Sequence, residues 1–225
     1  MDEYEYLDRK IGEKSISLDI LSIVRESIQT HRHIVWMFAG SHHVAELRNA
    51  PWSSYLVSTQ TVEVPLFDYS ETERLLTEPL LYSRIWESDD PMRPRFDPEV
   101  WGDGGITRIH DEAGGWPHLV QLIADTLVDL LNQESLPRAD SELVSVACEQ
   151  AITRGDTALR ELVEMECTVP EEWEYICGFR RGDTQPPPAS DNVYRSLRRR
   201  LLVTEENGYW RMRVPLMRRW LRQRG

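Results

Sequence analysis

The spacing of apolar residues changes several times along this chain, and each change predicts a new element. In ISLDILSIVRESI, residues 16–28, the residues Ile16, Ile20, Leu21, Val24 and Ile28 recur at helical spacing and predict one amphipathic helix. IVWMFAG, residues 34–40, is instead continuously apolar and ends in Gly40. That pattern predicts a strand buried on both faces, of the kind found inside helix-covered parallel sheets. TVEVPL, residues 61–66, alternates and then stops at Pro65, which predicts a short strand. A helix followed by a buried strand is half of an α/β unit.

From residue 67 to 166 the pattern shows no strand and predicts an all-helical unit of about four helices. Ser70 with Glu73 three residues on reads as a capping box at a helix start. Glu87 to Asp103, rich in Pro, Asp and Trp, reads as an irregular connection. A short helix over 105–113 ends at Gly114-Gly115, and Pro117 opens the next. Its apolar positions Leu119, Leu122, Ile123, Leu127, Leu130 and Leu131 keep a 3.6-residue period. Asp140 or Ser141 caps a further helix to about Thr153. GDTQPPPASD, residues 182–191, is a loop by composition. Residues 191–202 then form a helix carrying Arg195, Arg198, Arg199 and Arg200. LLVTEENGYWRMRV, residues 201–214, predicts a β-hairpin turning at Asn207-Gly208, the strongest two-residue turn signal. PLMRRWLRQ predicts a closing helix. Helix, helix and Asn-Gly hairpin is the order of a winged-helix module.

Composition narrows the class. The chain has 225 residues, 40% hydrophobic and 28% charged, which suits a globular protein. No apolar run approaches the roughly 20 residues of a membrane span, and the acidic N-terminus has no secretory leader pattern. Cys148, Cys167 and Cys177 are an odd set with no C-x-x-C pair, so neither a disulfide framework nor a zinc site is indicated. The expectation is a cytoplasmic protein with no membrane partner. The net charge of −12 is uneven: Gly178 to Gly225 holds 12 Arg against 4 carboxylates, and the first 177 residues hold 14 basic against 34 acidic residues. The arginines are either ligands for a polyanion or partners for the acidic body.

Taken in order, several stretches resemble the C-terminal half of a prokaryotic AAA+/STAND-like P-loop ATPase. MDEYEYL resembles the end of a Walker B strand, and WMFAGSHHVAEL the sensor-1 strand with its turn. VEVPLFDYSETERLL resembles the approach to the lid, and AGGWPHLVQLIADTLV the lid's Gly-x-Pro segment. RRLLVTEENGYWRMRVPLMRRWL resembles a wing with its final helix. The implied fold is mainly α: an α/β P-loop remnant over 1–66, a helical lid over 67–154 and a winged helix over 155–225.

The resemblance also assigns residues. Asp2 would hold Mg²⁺, because a strand-end carboxylate supplies an oxygen ligand. Glu3 would orient or deprotonate the attacking water, and Ser41 would sense the γ-phosphate. Gly115, Pro117 and His118 would lie beside the nucleotide, where the helix N-terminus presents free N–H groups. The residues alone leave a frayed terminus open for Asp2 and Glu3, a helix cap for Ser41, a plain helical corner for Gly115–His118 and a solvated arginine for Arg48. His31, His33, His42 and His43 read as surface or turn residues. No G-x-x-x-x-G-K-[ST] run is present, and GEKS, residues 12–15, has the wrong spacing. The chain therefore reads as starting inside an ATPase domain. It would bind ATP and Mg²⁺ only when a P-loop half or full-length protomers are supplied, and exposed sheet edges would be covered by that half or by a second copy. The alternative is a DNA-binding winged-helix protein with a helical interaction domain, in which Arg195, Arg198, Arg199 and Arg211 face double-stranded DNA. A third class is a protein-interaction subunit that has lost nucleotide chemistry.

Overall fold

The structure is a computed structural model describing residues 1–225 except Ala45, Glu46, Ser88, Thr168 and Gly225. The chain is mainly helical, with one small antiparallel sheet. It divides into two compact units, Met1–Val64 and Pro65–Gly225.

The first unit contains α1 (Tyr4–Gly12), α2 (Asp19–Thr30) and the short α3 (Trp52–Tyr55). Its core is small: Tyr4, Ile11, Leu21, Ala50, Trp52 and Leu56 are buried together. Asp8 is buried among them because it is well supplied with donors. It accepts from the indole Nε1 of Trp52 at 2.8 Å and from Asn49 Nδ2 at 2.8 Å, as a buried carboxylate requires. The α2 helix keeps the predicted period from Ile20 to Ile28, with Leu21 and Val24 buried, but it starts at Asp19 and leaves Ile16 exposed before it.

Three sequence expectations fail here. MDEYEYL is not the end of a strand: Met1 bonds to Met37 and Ala39, and the chain turns into α1 at Tyr4 through Glu3, at φ 50°. Residues 34–40 are not a buried strand, since Val35 is 91% and Met37 76% exposed. Residues 61–66 are not a strand either, and Val62 and Val64 lie in solvent. The reason is common to all three. A strand is stabilised only by neighbours that take its N–H and C=O groups and cover its faces. Among the described residues of this unit no further strand is present to do so.

The second unit has one continuous core. It runs from Leu76 and Trp101 through the helices to Val203, Trp210, Met212 and Trp220. In order come α4 (Tyr69–Thr77), α5 (Gly105–Ala113), α6 (Pro117–Glu134), α7 (Ser141–Arg154) and α8 (Asp156–Arg160). After them come α9 (Pro170–Cys177), β1 (Thr184–Gln185), α10 (Asp191–Arg199), β2 (Val203–Glu206), β3 (Tyr209–Met212) and α11 (Pro215–Gln223). Between α8 and α9 the backbone makes one π-helical turn over Glu161–Met165. The α6 and α7 starts agree with the sequence: Pro117 occupies the first turn, and the Asp140 side chain accepts from Leu143 N at 2.8 Å.

The cap of α4 is a correction. Asp68, not Ser70, accepts from Glu71 N at 2.8 Å, and Asp68 N donates to the Glu71 carboxylate at 2.9 Å. The capping box therefore lies two residues earlier, and the Ser70 hydroxyl only donates to Asp68 Oδ1. An ionised acceptor makes the stronger bond to the helix N–H groups, which favours Asp68.

Helix α10 ends at Arg199, short of the expected 202, because Leu201 takes φ 54°. The hairpin follows the sequence, with Asn207 at φ 53° and Gly208 at φ 80°. These values suit a type I′ turn. Trp210, Met212 and Val214 face inward and are buried. β1, from the loop before α10, adds on the far side of β3, so the sheet order is β1-β3-β2.

Candidate functional site

In the first unit the sequence-predicted residues gather around the N-terminus. The Met1 amine donates to Met37 O at 2.6 Å, and Ala39 N donates back to Met1 O at 2.9 Å. Two bonds from one residue to partners two apart are the pattern of a parallel bridge, here Met1 beside Phe38. Tyr4 N continues the contact to Ala39 O at 3.3 Å. Ser41 follows directly. Its N–H and its hydroxyl both donate to Glu5 Oε1, at 2.8 and 2.9 Å, and its Oγ lies 3.0 Å from His42 Nδ1.

Glu5, which the sequence reading passed over, is therefore the carboxylate that Ser41 meets. Asp2 and Glu3 are exposed, and Asp2 Oδ1 accepts from Glu3 N at 3.1 Å. Gly40 lets this turn approach α1: a Cβ on it would fall 2.1 Å from Glu5 Oε2. Among the described residues no three His, Cys, Asp or Glu side chains converge as a metal cage. Gly12-Glu13-Lys14-Ser15 forms the end of α1 and the turn after it, with Lys10 Nζ on Glu13 at 2.6 Å.

In the second unit the Gly114–His118 corner is tightly built. Gly114 and Gly115 have φ of 58° and 75°. Phe67 N donates to Gly115 O at 2.8 Å, and a Cβ on Gly115 would lie 2.4 Å from Phe67 O. The segment leading into α4 is thus laid across the corner. Pro117 starts α6 without a side-chain cap, and His118 is exposed at its first turn. Beside it, His110 Nδ1 lies 2.8 Å from the buried Thr72 hydroxyl, and its ring meets Tyr69 edge-on. An open cleft runs from His110 and Asp111 to Arg211 and Arg213 on the hairpin.

Six of the twelve C-terminal arginines pair with carboxylates. Arg219 reaches Glu112 at 2.5 Å and Glu149 at 2.6 Å, and Arg224 reaches Asp156 at 3.4 Å. Arg218 and Arg222 both hold Asp183, and the Arg222 hydrogen bond keeps that carboxyl below its usual range. Arg211 pairs with Glu206 at 3.1 Å. Arg200, which the sequence placed with the other arginines of its helix, points inward. It pairs with Glu172, which is fully buried, and donates to Leu162 O at 2.7 Å and Val163 O at 3.2 Å. One guanidinium thereby closes the π-helical turn and fastens α10 to α9.

Arg195, Arg198 and Arg199 are exposed on the face of α10 opposite the buried Val193, Ser196 and Leu197. Arg198 donates to Tyr194 Oη at 2.9 Å and lies over its ring.

No family model matches the chain, and no curated protein or solved structure matches it. Among the described residues no helix is long and apolar enough to cross a membrane.

Proposed function

We propose that this chain is the rear part of an AAA+/STAND-like nucleotide switch, with a regulatory or scaffolding role. In this reading the first unit is a piece of the nucleotide-binding α/β core. The second unit is a lid followed by a winged helix. The carrying observation is the parallel bridge between Met1 and Phe38, with Ser41 just beyond it. Parallel pairing belongs to α/β folds, and ligands in such folds collect at the carboxyl ends of the strands. Asp2 and Glu3 follow Met1 in sequence and Ser41 follows the segment it bonds to, which supports this reading. The antiparallel order β1-β3-β2 with α10 before the hairpin supports the winged-helix part.

In the first unit Asp2 would hold Mg²⁺, with Glu3 and Ser41 acting on the attacking water and the γ-phosphate. In the second unit Gly115, Pro117 and His118 would offer contacts to a nucleotide. A P-loop supplied by another polypeptide would grip the phosphates. The chain alone lacks those amides and does not hold triphosphate. Calorimetric titration of the full chain with Mg²⁺–ATP tests this: no heat of binding is expected, and micromolar affinity would end the proposal. A P-loop reading frame directly upstream of Met1 in the source DNA would support it.

A second reading follows from the exposed face of α10. Arg195, Arg198 and Arg199 form a cationic face suited to duplex phosphates. Glu205 and Glu206 at the hairpin tip oppose it, so contact would be made by the helix rather than the wing. Duplex binding by the full chain that weakens steeply with salt, and is lost in an Arg195→Ala/Arg199→Ala variant, supports this reading. No shift at low ionic strength excludes it.

A further inference from the structure

We propose that the chain self-associates by antiparallel pairing of residues 35–39 with the same segment of a second copy, about a two-fold axis at Met37. The segment is an unguarded edge. Trp36 and Phe38 turn one way, half-buried and stacked with ring centroids 5.9 Å apart and 13° between planes. Val35, Met37 and Ala39 turn the other way into solvent. This alternation is that of an extended strand.

On one side the backbone of Met37 and Ala39 is used by Met1 and Tyr4. On the other side the N–H and C=O groups of Trp36 and Phe38 have no partner among the described residues. From Ile34 to Gly40 there is no charge and no proline to blunt the edge.

The register makes the segment complementary to itself. Antiparallel pairing about Met37 sets Trp36 opposite Phe38 of the second copy, and Phe38 opposite Trp36 of the second copy. Residues opposed as a hydrogen-bonded pair exchange both of their bonds. All four unused groups on each copy's edge are therefore satisfied in one step. Met37 then faces Met37 of the second copy as a non-hydrogen-bonded pair, flanked by Val35 and Ala39 on the exposed face. Trp36 and Phe38 make aromatic cross-strand pairs on the other face. The two-fold closes after one pairing, so the product is a dimer rather than a fibre. A strand of this length buries little area, so the dimer is weak and in exchange with monomer.

Sedimentation equilibrium on the full chain tests the proposal. A monomer–dimer equilibrium is expected, with Met37→Lys weakening it at least tenfold by opposing two ammonium groups. Val62→Lys, equally exposed but outside the segment, should leave it unchanged. In the pairing the two Met37 Cα atoms stand about 4.5 Å apart, inside the range of a disulfide. Met37→Cys should therefore oxidise to a covalent dimer much faster than Val62→Cys. A chain that stays monomeric and crosslinks no faster through Met37→Cys than through Val62→Cys would overturn the proposal. So would a dimer that Met37→Lys leaves intact. The inference stands without the nucleotide reading, because ATP titration and mass determination report separately.

Discussion

Removing Arg200 should be the most damaging single change at the surface of α10. Its guanidinium is about one-tenth exposed, and Glu172 beneath it is wholly buried. Arg200→Met deletes the cation while Glu172 keeps the Ser196 hydroxyl at 2.9 Å. It also leaves Leu162 O and Val163 O without their donor. Breaking a buried pair from one side costs about 3–5 kcal/mol, because the surviving charge stays desolvated. For a domain of this size each kcal/mol moves the midpoint by roughly 2–4 °C, so a drop of about 6–20 °C is expected. Thermal unfolding followed by circular dichroism, beside Arg199→Met as a neighbouring exposed control, measures it. The double variant Arg200→Met/Glu172→Leu should recover at least half of the loss, since an apolar replacement of both partners removes the stranded charge. A loss under about 1 kcal/mol for Arg200→Met would refute this reasoning. So would a double variant as unstable as the sum of the singles.

Three further outcomes follow from the same structure. Gly115→Ala places a Cβ against Phe67 O at a backbone angle that L-residues avoid, and should cost about 2–3 kcal/mol in chemical denaturation; Gly104→Ala, with open space around it, should cost less. Burial pushes the Cys148 thiol up to about 11, so at neutral pH a thiol reagent should label Cys148 only after unfolding, with Cys167 and Cys177 reacting first. The Glu71 N–H holds the Asp68 carboxyl below its usual range, so its contribution to α4 is present above the unfolded carboxyl value. That contribution is lost as pH falls through the lower folded value, and Asp68→Asn should flatten this part of an acid titration of helix content.

Elements set by local chemistry were legible in the sequence. The apolar period of α2, α6 and α11, the Gly114-Gly115 stop, Pro117 at a first turn and the Asn207-Gly208 turn each act within a few residues. Nearby atoms decide them, so a linear reading reaches them. The Asp68 cap was within the same reach: its partner is three residues on, and Asp-x-x-Glu was there to be read.

What lay beyond the sequence depends on partners far along the chain. IVWMFAG carries the composition of a buried strand, yet whether it is buried depends on which strands lie beside it, and among the described residues no strand does. Glu5 gave no signal because its bond to Ser41 spans 36 residues. Arg200 differs from Arg199 by one position, which on a helix is about 100° of rotation. That turn leaves Arg199 on the exposed face and sets Arg200 on a buried carboxylate 28 residues away. The sequence by itself determined the periods of α2, α6 and α11, the stop at Gly114-Gly115, the start at Pro117 and the turn at Asn207-Gly208. Only the tertiary structure decided which charges are structural and which face of 34–40 is left bare, because burial is a property of neighbours that the chain brings together only on folding.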